Sequence, residues 1–280
     1  MELKETGTQI RVPATANLML DSFDEGNQNP FNLLVTRNQS LLNGFFNRIA
    51  TSEVVLEWTI SNIYEGLGNA YLQWSVGATD YSGNIVGGSY TMARLVDTIA
   101  EFMTANTPGS TFTITQLEPG LVSLDINAGT FQITGGGLAD LLNLVMVAPA
   151  GSTEIENHDI RPFRYLDFVS QQLTYNQDLQ DSSTNIYPQN VLCRWYMAYD
   201  QPPEFDTYGY PILMGYSRFY LRRLFNPPKQ IKWNPSQPIG QLAFVIWGMR
   251  QNGEYIQLAQ LDLDGLAGTN WLMTFQVSEN

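Results

Sequence analysis

The residues that could do covalent or metal chemistry in this chain are few. One histidine, His158, and one cysteine, Cys193, occur in 280 residues. A single histidine cannot build a two-histidine metal site, and any serine triad would have to include it. Cys193 lies in the apolar run VLCRW at residues 191–195, where burial keeps a thiol protonated. We therefore expect His158 to be a loop residue and Cys193 a buried structural thiol.

Carboxylates are numerous, and glycoside hydrolysis needs only two of them flanking a cleft. The run DLDG at residues 262–265 resembles a fragment of a calcium loop, but it lacks the third ligand and the distal glutamate. Three glycines at residues 135–137 lack the lysine of a phosphate loop, so a tight turn is the better interpretation. We predict no catalytic residues, no cofactor and no metal. The closest carboxylate pairs, all in turn-like segments, are Asp178 with Asp181, Glu154 with Glu156, and Asp262 with Asp264.

A cluster of positive charge points to a partner. Five of the fourteen basic residues fall within the fifteen positions 218–232. If residues 216–222 form a strand, alternate side chains from Tyr216 to Arg222 share one face, and the apolar side chains between them point the other way. Tyrosine and arginine are enriched in protein interfaces, although an ordinary solvent-exposed face also fits. The predicted interface residues are Tyr216, Arg218, Tyr220, Arg222, Arg223, Lys229 and Lys232.

The charge balance excludes some partners. Fourteen basic against 27 acidic residues give a net charge of −13, which phosphate backbones and anionic lipid headgroups repel. We therefore predict no direct nucleic-acid binding. The charge is uneven, because residues 1–160 hold 5 basic and 17 acidic residues whereas residues 161–232 hold 8 and 6. A basic band in an acidic chain is typical of a surface with a partner, with chance scatter as the alternative.

The composition is that of a folded protein without a membrane span. Hydrophobic residues make up 44% of the chain and aromatic residues 12%, enough for a sizeable core. The apolar runs at residues 138–150 and 242–249 are too short to cross a bilayer, and the N-terminus lacks a signal-peptide pattern. A single cysteine suits a reducing compartment.

Alternation of apolar and polar residues predicts about ten short strands. The run at residues 242–247 is apolar on both faces, which favours a strand covered on both sides. Asn252 and Gly253 follow it and predict a hairpin. Further strand-like runs are at 71–79 and 191–199, and the clearest alternation is at residues 53–63, 112–114, 122–126, 131–133 and 271–277.

Helical spacing is confined to two segments. After Thr91, an N-cap residue, apolar residues recur at helical spacing from Met92 to Met103, and Pro108 follows. A shorter stripe runs from Leu138 to Val145. We interpret residues 86–148 as a strand–helix–hairpin–helix excursion from a mostly β chain.

Many short strands with little helix must hide or close their sheet edges, and two packed sheets do so. We therefore predict an all-β sandwich. The six tryptophans fall mostly in alternating strands, so we expect them in the core, with lectin-like stacking as the alternative.

Several blocks resemble the minor capsid (penton) proteins of virophages and polinton-like viruses. NGFFNRI at residues 43–49 leads into the strand pattern and SNI at 61–63, and GSYT at 88–91 precedes the helix. LTYNQ at 173–177, with residues 178–184 after it, and NPPKQIKW at 226–233, closed by PIGQL at 238–242, complete the match. The order of these blocks, over about residues 40–260, carries the resemblance.

The resemblance implies a single jelly-roll capsid domain over residues 1–280, with the excursion at about 86–148 as a possible embedded module. Some relatives carry an inserted domain, and we expect any module here to be no larger than that range. The implied function is that of a homopentamer at icosahedral vertices, beside a double jelly-roll major capsid protein of the same virus. The implied location is the virion, assembled inside the host cell.

Two other functions remain open from the sequence. A glycan- or receptor-binding β-sandwich would use exposed aromatic residues in loops, for example Tyr208 and Tyr210. A carbohydrate-active enzyme on a jelly roll would need two converging carboxylates.

Overall fold

The structure is a computed structural model, and the residues it describes are 15–25, 29–36, 48–58, 60–144, 148–156, 159–174, 190–197, 204–212, 219–226, 228, 230–232, 240–251, 253–261 and 270–278. Its strands in chain order are β1 Thr15–Asp21, β2 Asn32–Thr36, β3 Arg48–Trp58, β4 Tyr71–Val76, β5 Thr79–Asn84, β6 Phe112–Glu118, β7 Leu121–Ile126, β8 Phe131–Gly135, β9 Ser152–Ile155, β10 Tyr165–Val169, β11 Val191–Tyr196, β12 Glu204–Phe205, β13 Pro211–Ile212, β14 Phe219–Leu224, β15 Gln230–Lys232, β16 Gln241–Met249, β17 Tyr255–Gln257 and β18 Asn270–Ser278. The helices are α1 Met92–Asn106, α2 Gly137–Leu142 and α3 Gln171–Thr174.

Two antiparallel sheets of five strands each form a sandwich. The first sheet has the order β1-β18-β3-β14, and β15 pairs with β3 beside β14. The second sheet has the order β11-β10-β16-β17, and β2 pairs with the first half of β16, residues 241–245. The turn after β16 closes the predicted hairpin, because the amide of Arg250 donates to the carbonyl of Glu254 at 2.8 Å. The all-β sandwich predicted from the alternation is confirmed.

The larger core lies between these two sheets. Trp271 of β18 meets Phe244 and Phe168 of the opposite sheet, with ring centroids 5.3 and 6.3 Å away. Its indole nitrogen donates to the carbonyl of Pro30 at 2.6 Å, so its polar atom is satisfied. Burying a large aromatic side chain contributes about 1.5–3 kcal/mol, so this contact between sheets stabilises the sandwich substantially. Four of the six tryptophans are buried in cores as we expected: Trp58, Trp74, Trp195 and Trp271.

Strand β16 is fully covered on one face and partly covered on the other. Leu242, Phe244 and Ile246 are buried between the sheets, whereas Val245 and Trp247 on the other face are half-buried. The expectation of a strand covered on both sides is therefore met fully for the inner face and in part for the outer face. The outer face is shielded in part by side chains of neighbouring strands, which are described below.

A second core is built by the chain between β3 and β10. It packs the three-stranded sheets β5-β4-β8 and β6-β7-β9 around α1 and α2. Helix α1 is the predicted helix: the hydroxyl of Thr91 caps it by accepting the amide of Arg94 at 3.2 Å, and it ends at Asn106. The buried residues of this core lie between Ile63 and Ile160, with Tyr210 added from the β12–β13 hairpin.

These elements extend beyond residues 86–148 on both sides. The hairpin of β4 and β5 comes before that range, and it joins the second core because β4 pairs with β8. Strand β9 comes after it and pairs with β7. The division of the chain into a jelly-roll domain and an embedded module stays a prediction.

The sequence predicted about ten strands, and the described residues contain eighteen. Most of the difference comes from strands too short or too polar for alternation to show. Strands β12 and β13 have two residues each, and β5 has the polar sequence TDYSGN.

Candidate functional site

The described part of the predicted interface lies along one edge of the first sheet. Strands β14 and β15 both pair with the side of β3 that faces away from β18. The residues on these strands are Tyr220, Arg222 and Arg223 in β14 and Lys232 in β15. Three further predicted residues lie outside the described residues: Tyr216, Arg218 and Lys229. The structure therefore brings the described four to one sheet edge, and their role in an interface stays a prediction.

We call Arg222, Arg223 and Leu224 of β14 the arginine edge. Arg222 pairs with Val55 of β3, and its guanidinium binds the carboxylate of Glu53 on the same strand. The side chain of Arg222 is still 65% exposed, because the pair lies on the outer face of the sheet. Leu224 is 60% exposed beside it. A surface ion pair of this kind contributes only about 0–1 kcal/mol to stability. Glu53 therefore positions the guanidinium of Arg222 but leaves it able to bind a second carboxylate.

The opposite edge of the first sheet is β1, and it carries the opposite charge. We call Met19 and Asp21 of β1, together with Phe23 and Asp24 of the 3-10 helix Ser22–Glu25 that follows it, the acidic edge. The carboxylate of Asp21 accepts the amide of Phe23 at 2.9 Å, which fixes the direction of that carboxylate. Met19 and Phe23 are 63% and 72% exposed. Large exposed apolar side chains next to an open strand edge are typical of a protein contact surface.

A buried ion pair lies on the outer face of the second sheet, and sequence reasoning missed it. Asp167 of β10 is fully buried although it occupies an outward position. Arg194 of β11 binds it through two hydrogen bonds of 2.7 and 2.8 Å, and the hydroxyl of Tyr255 donates to it at 2.6 Å. The hydrogen bond to Asp167 raises the pKa of the Arg194 guanidinium. Burial of the Tyr255 hydroxyl is the larger cause of its raised pKa, and the hydrogen bond to Asp167 is the second.

Aromatic rings cover this ion pair. The guanidinium of Arg194 lies 4.0 Å from the centre of the Tyr165 ring, and Trp247 stacks on Tyr255 at 5.3 Å. Tyr196 packs edge-on against Tyr165 and is 54% exposed. The only signal of this cluster in the sequence was the alternation of side chains along a strand. It places Tyr165 on the same face as Asp167 in β10, and Arg194 on the same face as Tyr196 in β11. We call these six residues the outer cluster: Tyr165, Asp167, Arg194, Tyr196, Trp247 and Tyr255. The cluster is a hydrogen-bonded structural network with an aromatic surface.

The loop tyrosines are not an exposed binding pair, which corrects our expectation. Tyr210 is fully buried in the second core, and its hydroxyl donates to the carbonyl of Ile155 at 2.7 Å. Tyr208 is half-buried and donates to Asp97 of α1 at 2.8 Å. Asp206 sets this turn by accepting the amides of both tyrosines, so the β12–β13 hairpin docks on the second core. Burial raises the pKa of Tyr210 to about 12.

The residues considered for catalysis do not converge where the structure describes them. Cys193 is buried in the larger core, and Glu154 and Glu156 are exposed in and after β9. The other residues of this group lie outside the described residues: His158, Asp178, Asp181, Asp262 and Asp264. The described residues contain no group of three or more His, Cys, Asp or Glu that could hold a metal ion. In the same residues no helix is long and apolar enough to cross a membrane.

A cavity of about 310 Å³ opens between the two cores. Asn69, Asp140, Arg161 and Arg250 are among its lining residues. Both arginines are already bound by carboxylates, Arg161 by Asp159 and Arg250 by Glu254 at 2.8 Å. The charges of both arginines are therefore balanced from within the chain.

Similar structures exist for the whole chain, although no family model and no curated protein matches the sequence. The crystal structure of the selenomethionine-labelled mavirus penton protein aligns with a TM-score of 0.50 at 10% identity, over 96% of this chain and 99% of that chain. A 3.5 Å cryo-EM structure of the Sputnik virophage aligns with a TM-score of 0.46 at 10% identity, over 95% and 98%. The chain therefore has the jelly-roll fold of the mavirus penton protein. This confirms, at the level of the fold, the fold class and the resemblance that the sequence blocks indicated.

Proposed function

We propose that this chain is a structural protein of a viral capsid, the minor capsid protein that forms pentamers at icosahedral vertices. The observation that carries the proposal is the end-to-end match of its fold to the mavirus penton protein, over 96% of this chain. A match over that share of the chain includes the second core as well as the sandwich. The partners are other copies of this chain and a double jelly-roll major capsid protein of the same virus.

The protein acts by assembly and performs no catalysis. A closed ring of identical subunits uses heterologous contacts, so two different surfaces of each subunit must complement each other. Permanent interfaces of this kind bury on the order of 2,000 Å² or more. The arginine edge supplies one such surface for a neighbouring copy or for the major capsid protein. The protein resides in the virion, assembles inside the host cell and makes no direct contact with nucleic acid, in keeping with its net charge of −13.

Glycan or receptor binding is the alternative function, and one observation favours it. The outer cluster presents an aromatic surface at Tyr196 and Trp247, in place of the loop tyrosines. Flat aromatic rings are suited to stacking on sugars. A glycan array with hits that disappear in the Trp247→Ala variant would support this function, which a vertex protein can also carry.

The experiment that tests the proposal is co-expression with the major capsid protein of the same virus, followed by cryo-EM of the particles. We expect five copies of this chain at each vertex. The double variant Arg222→Glu/Arg223→Glu should fold normally but be lost from the vertices. Arg94→Glu/Arg164→Glu makes the same change in net charge at exposed positions away from the arginine edge and serves as the control. Vertices without this chain in wild-type particles would overturn the proposal.

A further inference from the structure

The two edges of the first sheet are aligned with each other row by row. In one row the paired residues run from Asp21 through Leu272 and Val55 to Arg222. An acidic residue on β1 therefore lies at the same height along the strands as a basic residue on β14.

A neighbouring row, two residues away, has an apolar residue at both ends. It runs from Met19 through Thr274 and Glu53 to Leu224. Met19 and Leu224 are 63% and 60% exposed, so each edge presents an apolar side chain to solvent at the same height. Residues paired across antiparallel strands share a face of the sheet, so both rows belong to the outer face.

The strand directions allow the two edges to meet. Each neighbouring pair in the order β1-β18-β3-β14 is antiparallel, so β1 runs opposite to β14. Among the strands that the structure describes, β1 pairs only with β18 and β14 only with β3. A second copy whose β1 lies beside β14 therefore continues the antiparallel pattern.

Cyclic symmetry brings the acidic edge of one copy next to the arginine edge of another. A rotation about an axis parallel to the strands leaves every row at its own height. The acidic edge of one copy then meets the arginine edge of the next in register, with Asp21 opposite Arg222 and Met19 opposite Leu224. A heterologous contact of this kind repeats around a ring until it closes.

We propose that the acidic edge of one copy docks on the arginine edge of the next copy, with the strands aligned along the ring axis. The inference rests on the proposed function, since it assumes a ring. Arg222 has five donor groups and can bind Asp21 of the neighbour while Glu53 of its own chain still holds it. The hydrogen bond from the amide of Phe23 to the carboxylate of Asp21 fixes the orientation of that carboxylate before the two copies meet.

Cysteine cross-linking tests the register. Paired residues on adjacent antiparallel strands have Cα atoms about 4.5–5.5 Å apart, within the range that a disulfide bridges. Within one copy, Met19 and Leu224 are three strand spacings apart, about 14 Å, so Met19→Cys/Leu224→Cys can only link different copies. The native cysteine, Cys193, is buried and does not compete. The control Thr15→Cys/Leu224→Cys moves one thiol four residues, about 13 Å, out of register.

A charge variant tests the ion pair independently. Asp21→Asn keeps an oxygen that can accept the amide of Phe23 but removes the charge. We expect it to lower vertex occupancy about tenfold at a fixed protein concentration, one power of ten for a lost charged contact. Asp80→Asn, at an exposed position of β5, removes the same charge and should leave occupancy unchanged.

The outcomes separate this inference from the proposed function. Particles with five copies per vertex and a disulfide only in the in-register variant support both. Five copies per vertex with no in-register disulfide, or with equal linking in the out-of-register control, overturn the edge contact and leave the proposed function intact. Wild-type particles whose vertices lack this chain overturn both.

Discussion

Replacing Asp206 by alanine removes the hydrogen bond that, together with the one from Tyr208 to Asp97, ties the β12–β13 hairpin to helix α1. The carboxylate of Asp206 accepts the amide of Ala93 at 2.8 Å and the amides of Tyr208 and Tyr210 at 3.1 Å each. Ala93 lies in the first turn of α1, where amides have no partner within the helix. The hairpin thus supplies a cap to a helix that is more than 100 residues away in the chain.

The size of the effect follows from these contacts. Loss of an N-cap acceptor costs about 0.5–2 kcal/mol, and each of the two hydrogen bonds within the turn contributes about 1 kcal/mol. The bond from Arg94 to the hydroxyl of Thr91 survives, so the helix keeps one cap. We expect Asp206→Ala to lower the free energy of unfolding of the second core by about 2–4 kcal/mol. Asp206→Asn keeps one acceptor oxygen and should lose about half as much.

Hydrogen exchange measured by mass spectrometry checks this prediction locally. Peptides from α1 and from residues 204–212 should exchange faster in Asp206→Ala, whereas peptides from β3 and β18 should not change. Thr207→Ala, at an exposed neighbouring position, is the matched control. Unchanged exchange in α1, or a loss of stability below about 0.5 kcal/mol, would refute the idea that this carboxylate holds the hairpin on the helix.

Two further predictions concern tyrosine hydroxyl groups. Tyr255→Phe removes the donor to Asp167, and urea unfolding should show a loss of about 1–3 kcal/mol, whereas the exposed Tyr71→Phe should change little. Burial raises the pKa of Tyr208 and of Tyr210 from 10.0 to about 12, so unfolded chains ionise these groups first. Their contribution to stability is complete below pH 10 and is lost between pH 10 and 12. The unfolding free energy of Tyr208→Phe/Tyr210→Phe should fall less steeply over this range, and an equally steep fall would contradict the assignment.

Local patterns in the sequence were enough to predict the elements in which apolar residues recur with a clear period. Helix α1 combines a capping hydroxyl at Thr91 with apolar residues at helical spacing, and both ends were predicted. Strand β18 buries every second residue, and β3 does so from Val54 to Trp58, which period two makes visible. The shared face of Tyr216, Arg218, Tyr220 and Arg222 was predicted from the same alternation and stays a prediction.

Contacts between distant segments could not be predicted from those patterns. Glu53 lies 169 positions from Arg222, and only the register of β14 on β3 brings them together. Asp167 lies 88 positions from Tyr255, and no local spacing marks either of them as a partner. The alternative glycan-binding function needed Tyr210 to be exposed, but Asp206 satisfies the turn and allows the ring to enter the second core.

The two sheets use arginine in physically different ways, which bears on where the chain can bind a partner. Arg194 binds a carboxylate that is fully buried, and removing a partner from a buried pair costs about 3–5 kcal/mol because a charge is left without compensation. Arg194 is therefore held in place and cannot exchange Asp167 for an outside group.

Arg222 binds Glu53 at the surface, where the pair contributes about 0–1 kcal/mol. Because little is lost when that contact loosens, a second carboxylate can share or replace it at small cost. The outer cluster of the second sheet thus suits permanent structure, and the arginine edge of the first sheet suits a contact that forms when another copy arrives. That difference is the physical reason for assigning assembly to the first sheet.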